Sequence, residues 1–334
     1  MNKQTVIAVD RSGGDNAPGA IVSGCVSAVS EFSGLNLLLV GREEELKPLV
    51  GENPRIEIVN ATQTISNDES PTEAFRRKKD SSVSVGLRLL REGKASAFVS
   101  AGPTGALLTG AAVMLERVPG VTRPALATVI PSKEGHFLLI DSGANVDPKP
   151  ELLPQFAKMG AVYAEAVMGA IPARVGLINI GAEAEKGSAL TKAAFELLSA
   201  DSAINFVGNV EPRDIPGGVA DVLVCDAFTG NVILKYSEGL AMSLFGAIKK
   251  ELLGGFVTKL GAALARPAFK RLKKKFDYEE IGGAPFLGLK QIVVKAHGSS
   301  GEKAIKNAIR QALVYASSGG IDELAVRMGQ ANGI

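Results

Sequence analysis

The chain has 334 residues, 46% of them hydrophobic and 22% charged, which is enough apolar material for a large buried core. The net charge of +2 excludes a dedicated nucleic-acid-binding protein, so we expect no nucleic acid partner. Cys25 and Cys225 lie outside any C-x-x-C pattern, and only two histidines are present. We therefore expect no disulfide framework, no metal and no cofactor.

No segment has the composition of a secretory signal or a membrane span. The apolar run near the N-terminus ends at Asp10, before it reaches the length of a signal sequence. No stretch approaches the ~18–20 uncharged apolar residues of a transmembrane helix. The sequence therefore predicts a soluble, cytoplasmic protein.

Short aliphatic runs recur along the chain, and each is bounded by Gly, Asp, Asn or Pro. They span residues 5–10, 35–41, 56–61, 95–102, 124–131, 136–143, 173–181, 204–209, 220–230 and 290–298. Several show no polar alternation, which is typical of strands buried on both faces of a parallel sheet. Helical patterns lie between them, such as the stripe of Val85, Leu89 and Leu90. This alternation predicts an α/β fold with right-handed crossovers, and we expect one catalytic domain over residues 1–334.

Small residues together with Asp, Asn, Ser, Thr or one basic residue follow nearly every run. Because ligands bind at the carboxyl ends of strands in such sheets, this recurrence is the strongest functional signal in the sequence. The stretches GGDN (13–16) and GPTG (102–105) would each allow backbone N–H groups to approach a phosphate. The alternative is that both stretches are simply tight turns.

Nucleotide-binding motifs are missing from the sequence. GAEAEKGS, residues 181–188, contains Lys-Gly-Ser and not the Gly-Lys-[Ser/Thr] of a P-loop, and no G-x-G-x-x-G follows the first run. ATP and NAD are therefore poorly supported. Lys186 is either an ordinary solvated lysine or a ligand for phosphate or an oxyanion, a role that suits a compact charge with three donors.

Polar groups also follow two of the later runs. Asp226, Thr229 and Asn231 come directly after VLVC, where any of them could cap the next helix. Together they contain more polar atoms than a cap requires, which favours a site. His297 is the only histidine flanked by small polar residues, although a structural histidine beside a serine N-cap is the alternative.

Six blocks of the sequence together resemble one protein family. They are DRSGGDNAPGAIVSG, VSAGPTGALLTGA, GANVDPKPELLPQFAKMG, VGLINIGAEAEKG, NFVGNVEPRDIPGGVADVLVCDAFTGNVILK and KAHGSSGEKAIKNAIRQA, and they extend over nearly the whole chain. This combination resembles the bacterial phosphate acyltransferases. The chain departs from the usual family residues at Arg11-Ser12, where Ala-Met is common, and at Pro103, where Asn is common.

The resemblance implies an activity, a fold and an assembly. The activity is synthesis of acyl phosphate from an acylated acyl carrier protein and inorganic phosphate, at the start of phospholipid synthesis. The fold is a three-layer α/β/α structure with a largely parallel central sheet, like that of phosphotransacetylases and of isocitrate and isopropylmalate dehydrogenases. The assembly is a homodimer.

Acyl transfer from a thioester to phosphate needs cations for the phosphate and donors for the tetrahedral oxyanion. We assign catalysis to Lys186, Asn231, Asp226 and His297, with His297 as the candidate for handling the thiol proton. Phosphate is already an anionic nucleophile and the chain has no G-x-S-x-G elbow, so we expect direct transfer without an acyl-enzyme. The residues expected to bind substrate or phosphate are Gly13, Gly14, Asp15, Asn16, Ser100, Gly102, Thr104, Gly105, Asn145, Thr229, Gly230 and Ser299.

Two other functions remain open at this point. One is a phosphotransacetylase in the strict sense, which would use acyl-CoA in place of the acylated carrier protein. The other is a non-catalytic, membrane-associated scaffold that positions enzymes of lipid synthesis.

Residues 263–283 concentrate basic and large apolar side chains in one place. Pro267 predicts that one helix ends near Arg266 and that a second begins at the proline. In the second helix the apolar residues share one face and basic residues fill much of the rest. Such a helix is typical of a segment on an anionic membrane surface, but it could also pack against the body or a dimer partner.

We therefore expect a projecting helical segment over residues 240–280 that contacts a membrane or a second subunit. The resemblance implies a peripheral membrane protein at the inner face of the cell membrane, close to the membrane-bound glycerol-3-phosphate acyltransferase that would consume the acyl phosphate. The expected membrane contacts are Leu260, Leu264, Phe269, Lys270, Arg271 and Lys274.

Overall fold

The aliphatic runs of the sequence form the strands of one sheet. The computed structural model describes residues 4–330, apart from the side chains of Lys273, Tyr278 and Gln330. Within that range lie eleven strands: β1 (Thr5–Asp10), β2 (Leu35–Gly41), β3 (Ile56–Asn60), β4 (Ala97–Ser100), β5 (Ala125–Ser132), β6 (Gly135–Ile140), β7 (Arg174–Ile178), β8 (Asn205–Val210), β9 (Val222–Val224), β10 (Gly283–Leu287) and β11 (Ile292–Ala296). The sequence predicts all of them except β10, in which glycine and proline weaken the strand signal.

The strands are ordered β3-β2-β1-β4-β11-β10-β5-β6-β9-β7-β8. Among the described residues, seven of the ten strand pairings are parallel, so the expectation of a largely parallel sheet is confirmed. The antiparallel pairings join β11 to β10, β10 to β5, and β5 to β6 in the centre of the sheet. As a result, β6–β9 run opposite to β1–β4, and their carboxyl ends lie at the other edge of the sheet.

Helices cover both faces of the sheet, which gives the three layers that the family resemblance implies. Residues 4–330 contain the α-helices α1 (Gly19–Glu31), α2 (Glu43–Val50), α3 (Pro71–Arg77), α4 (Ser82–Arg91), α5 (Thr104–Met114), α6 (Leu152–Tyr163), α7 (Ala189–Ser199), α8 (Ala227–Leu252), α9 (Phe256–Lys275), α10 (Glu302–Ser317) and α11 (Gly320–Gln330). None of the helices in this range is both long enough and apolar enough to cross a bilayer.

The apolar core is continuous on one face of the sheet and divided on the other. On the continuous face, α1, α6, α10 and α11 pack against residues such as Ile7 and Leu138. On the divided face, one core joins α3, α4 and α5 to Phe98 and its neighbours, and a second core joins α8 to Leu139 and Leu223. The sheet surface between these two cores belongs to neither of them.

Helices α8 and α9 form a pair that contains the basic segment. The prediction of two helices separated at Pro267 is wrong, because α9 runs continuously from Phe256 to Lys275. Pro267 removes one helical N–H, but Ala263, whose carbonyl would have accepted it, is exposed and can bond to water instead. The rings of Phe245 and Phe276 lie 6.4 Å apart between the two helices.

Large apolar side chains are exposed where α8 gives way to α9. Phe256 is 86% exposed and Leu264 is 78% exposed. Phe269 is partly buried and therefore less accessible than the other residues expected at a membrane. The other residues expected at a membrane are all exposed: Leu260, Leu264, Lys270, Arg271 and Lys274.

Candidate active site

Glycines allow the loops that follow β1, β4 and β11 to pack directly on one another. A Cβ atom at Gly13 would lie 2.1 Å from the backbone nitrogen of Gly102, so only glycine fits this contact. Gly14 has a φ of +94°, and a Cβ there would lie 2.7 Å from the carbonyl oxygen of Gly298. The three loops therefore form one continuous surface at the carboxyl ends of their strands.

Asp10 joins the first two of these loops. Its Oδ1 accepts a hydrogen bond from the Ser12 N–H at 2.8 Å, and its Oδ2 accepts one from Ser100 Oγ at 2.6 Å. Ser100 Oγ in turn accepts the Gly102 N–H at 3.0 Å. Asp10 and Ser100 are both 1% exposed, so this network fixes the shape of the loops from beneath.

The GGDN stretch also contacts the loop that carries His297. The Asp15 N–H donates to the Gly298 carbonyl at 2.7 Å, and Asn16 Nδ2 donates to the Ser299 carbonyl at 3.1 Å. His297 Nδ1 lies 2.8 Å from Ser299 Oγ. The structure thus brings together residues 13–16, Ser100, Gly102, His297 and Ser299, all of which the sequence predicts as site residues.

A second group of predicted residues surrounds the carboxyl end of β6. Asp141 is fully buried there, and its carboxylate accepts the N–H groups of Gly143, Ala144 and Asn145 at 2.8–3.0 Å. Asn145 Nδ2 donates to Asp141 Oδ2 at 2.7 Å and to the Pro124 carbonyl at 2.9 Å. The amide of Asn145 therefore holds this loop in place.

Asp226 is the N-cap of α8, the role that sequence analysis kept as its alternative. Its carboxylate accepts the Thr229 N–H at 2.9 Å and Thr229 Oγ1 at 2.7 Å. A Cβ atom at Gly230 would lie 2.0 Å from the Asp141 carbonyl, so glycine lets the first turn of α8 pack on the β6 loop. Asn231 is exposed, and its Nδ2 donates to the Ser142 carbonyl at 3.4 Å.

Strand register connects the two groups across the divided face of the sheet. Lys295 pairs with Ser100 on one side and with Ala284 on the other. Ala284 lies in β10, where Phe286 pairs antiparallel with Leu126 of β5, so the same register places Thr128 opposite Ala284. Thr128 is therefore two strands, or about 10 Å, from Lys295. Thr128 Oγ1 lies 2.8 Å from Ser142 Oγ. Lys295, Ala284 and Thr128 are all only partly buried, and we call this strip of the sheet face between the two cores the cleft, with the small side chain of Ala284 as its floor.

Basic side chains face the cleft from both of its walls. Burial lowers the pKa of Lys295 to about 8, where Lys235 adds to the effect and Asp10 and Asp15 oppose it. Burial also lowers the pKa of His297, and Lys235 lowers it further. Lys235, on α8, thus acts on both groups from the opposite wall, and the cleft attracts an anion.

Two other predictions lie at the margins of the cleft. Thr104 and Gly105 begin α5 directly after the loop of Gly102, so the helix N-terminus points its N–H groups toward this end. Lys186 is exposed on the loop after β7, where its carbonyl accepts Asn179 Nδ2 at 3.0 Å. Among the described contacts, its ammonium meets none of the other predicted residues.

Sequence analysis missed Lys235, Lys295, Asp10 and the Thr128–Ser142 pair. Lys295 carried a usable signal, because a lysine inside an otherwise apolar strand places a charge where burial is costly. Within residues 4–330 no cluster of three or more His, Cys, Asp or Glu residues could hold a metal ion.

Known structures of similar shape define the class of fold. A phosphotransacetylase from Streptococcus pyogenes superposes with a TM-score of 0.66 at 15% identity, covering 93% of this chain and 94% of its own. A 4-hydroxythreonine-4-phosphate dehydrogenase from Klebsiella pneumoniae superposes with a TM-score of 0.51 at 14% identity, covering 95% of this chain and 99% of its own. The chain thus has the α/β fold of phosphotransacetylases and related dehydrogenases, as expected from the sequence.

Sequence comparison identifies the family within that class. The family described as "Fatty acid synthesis protein" matches residues 5–322. A phosphate acyltransferase from Clostridium botulinum is 50% identical over 328 residues, which is 97% of this chain and 98% of that protein. The chain belongs to the bacterial phosphate acyltransferase family, and it is an acyltransferase.

The charge arrangement of the cleft predicts how its histidine titrates. Replacing Lys235 with Gln removes a positive neighbour and should raise the pKa of His297, whereas Glu238→Gln removes a negative neighbour and should lower it. The chain has only two histidines, so NMR can follow each ring separately. His136 lies beside Lys275 and is the internal control. A His297 pKa that responds to neither substitution would contradict this geometry.

Proposed function

We propose that the protein transfers an acyl group from an acylated acyl carrier protein to inorganic phosphate, which yields acyl phosphate and the free carrier protein. The observation that carries the proposal is the cleft: Lys295 and glycine-built loops on one wall face Lys235 and the hydroxyl and amide groups on the other. Membership of the family supports acyl transfer. A cationic cleft built on close-packed backbone supports a phosphate acceptor.

The reaction needs no covalent intermediate with the protein. An oxygen of hydrogen phosphate attacks the thioester carbonyl carbon, and the carbonyl oxygen becomes an oxyanion. As the carbonyl re-forms, the C–S bond breaks and the sulfur leaves as a thiolate. The proton of hydrogen phosphate ends on the sulfur, and we assign its relay to His297, whose lowered pKa keeps the ring largely neutral at pH 7.

The opposite wall supplies donors for the oxyanion. Asn231 is exposed just after the first turn of α8, where the partial positive charge of the helix N-terminus also favours an anion. Lys186 is exposed on the loop of a neighbouring strand and can hold a further negative oxygen of the substrates. Asp226 acts indirectly, because its cap positions the turn that carries Asn231.

Truncating either donor should slow turnover without unfolding the protein. Lys186→Ala and Asn231→Ala should each lower kcat by ~10²–10³-fold, the typical effect of losing one positioned donor. Hydroxylamine trapping of acyl phosphate as hydroxamate measures the rate, and circular dichroism reports folding. Lys192→Ala, another exposed lysine near Lys186 in sequence, is the matched control. Near-normal kcat in both variants would overturn these assignments.

The same assay separates the proposed function from its rivals. A strict phosphotransacetylase would turn over acyl-CoA at least as well as the acylated carrier protein. A non-catalytic scaffold would give no hydroxamate with either substrate. We propose the carrier protein as the natural donor because the blocks of the sequence resemble enzymes that use it, and because its acidic surface complements a locally basic cleft.

We further propose that the protein is a homodimer. Along α8, the large apolar residues Phe228, Val232, Tyr236, Leu240 and Leu244 recur every fourth position, and each is more than half exposed. A helix stripe of this kind is ordinarily covered by another helix. Sedimentation velocity should show a particle of twice the 34.7 kDa chain mass, and Tyr236→Glu should shift it toward the monomer. A wild-type monomer at micromolar concentration would rule the dimer out.

We also propose peripheral contact with an anionic membrane through the α8–α9 pair. Phe256, Val257, Leu260 and Leu264 present an exposed apolar surface near the turn, and basic residues follow along α9. Each Lys or Arg near such a surface contributes ~1 kcal/mol, so several can hold the segment reversibly. The labile product would then be released close to the membrane-bound acyltransferase that uses it.

Vesicle binding tests this contact. The protein should co-sediment with vesicles that contain phosphatidylglycerol and not with pure phosphatidylcholine, and binding should weaken with salt. Leu264→Glu should reduce the binding, whereas Val326→Glu, at an exposed apolar site on α11, should not. Turnover of soluble substrates should survive both changes. Equal binding of the two variants would place the apolar surface in a protein contact instead.

A further inference from the structure

Lys295 is a charged residue inside an apolar strand. Its neighbours Val294 and Ala296 are fully buried, and they point into the continuous core on one face of the sheet. Lys295 alternates with them and therefore faces the cleft, beside Ser100 in the next strand. Its aliphatic stem lies among buried residues, and its ammonium emerges at the floor of the site.

The ammonium has backbone partners but no carboxylate. Nζ donates to the carbonyl of Ala101 at 3.3 Å and to the carbonyl of Ala296. Within residues 4–330, no Asp or Glu oxygen lies within 4.0 Å of it, although eighteen other ion-pair contacts occur in that range. A desolvated ammonium without an anion is costly, and two carbonyls leave one of its three donors for another group.

The charges around Lys295 do not neutralise it. Asp10, the carboxylate that acts most on Lys295, already accepts hydrogen bonds from Ser12 and Ser100. On the other side, Lys235 repels it. Two cations facing one cleft are stabilised together when an anion lies between them.

We infer that Lys295 is a further catalytic residue, whose ammonium binds the inorganic phosphate and then the phosphoryl group of the acyl phosphate. This inference rests on the proposed function and adds a named phosphate ligand to it. Lys295 transfers no proton in the reaction. It holds the attacking phosphate against the loop of Ala101 and offsets its charge, while the thioester approaches from the wall that carries Asn231.

The pH dependence of phosphate binding follows from the charges that face Lys295. These are Asp10 on β1, Asp15 on the next loop, Lys235 on α8 and His297 beyond the end of β11. Because the pKa of Lys295 lies at about 8, the ammonium is charged at pH 7 and loses its proton as the pH rises. Between pH 7 and pH 9 the KM for phosphate should therefore rise about tenfold, since only about one amine in ten stays charged one unit above its pKa.

Substitutions separate a phosphate ligand from a purely structural lysine. Lys295→Met should raise the KM for phosphate by about 10- to 100-fold, the usual range for one charge-assisted hydrogen bond, while the KM for the acylated carrier protein changes little. Lys295→Arg keeps its charge at high pH, so its phosphate KM should stay nearly flat between pH 7 and pH 9. Lys290→Met, an exposed lysine just before the same strand, is the matched control.

Calorimetric titration with inorganic phosphate makes the outcome independent of turnover. If the wild type makes no acyl phosphate, the proposed function fails, yet phosphate binding that is lost in Lys295→Met would still support the inference. If the wild type is active and Lys295→Met keeps both its phosphate KM and its phosphate affinity, the inference is overturned. If Lys295→Met does not fold, the pH profile of Lys295→Arg decides: a tenfold rise like that of the wild type would also overturn it.

Discussion

The reversal of strand direction in the centre of the sheet is the constraint on which the rest of the structure depends. Because β10 and β5 pair antiparallel with their neighbours, the two parallel halves point their carboxyl ends to opposite edges. A uniformly parallel sheet would have collected every functional loop at one edge. Here the loops of one half and the first turns of α8 meet across the face of the sheet instead, in the gap between two apolar cores.

Glycine allows the segments within each wall of the cleft to pack at atomic distances. At Gly13 and Gly230, any side chain would overlap backbone atoms of another loop, so neither wall of the cleft could close with a different residue. Buried carboxylates then fix each wall from behind: Asp10 beneath the first and Asp141 beneath the second. The polar groups that face the cleft are thus positioned by residues that never reach it, which is how a site keeps its geometry before substrate arrives.

Ten of the eleven strands described are predictable, because an apolar run bounded by turn residues can be recognised from neighbouring residues alone. β10 and the reversed direction of the second half depend on pairing between distant segments, which one sequence does not display. The structure has Asn145 and Asp226 in loops beside the cleft, but their side chains bond within those loops. Lys295 was overlooked because a strand lysine looks like an edge residue until its register is known.

The length of α8 sets the distance between the active-site cleft and the exposed turn that follows the helix. Leu252, at the far end of this one continuous helix, lies twenty-one positions after Asn231, a rise of about 30 Å. If the turn beyond Leu252 rested on a bilayer with the helix upright, the cleft would stand about one bilayer-core thickness above the lipid. A product with an aliphatic tail would then leave into water, unless the helix tilts or its exposed apolar stripe gives the tail a path down.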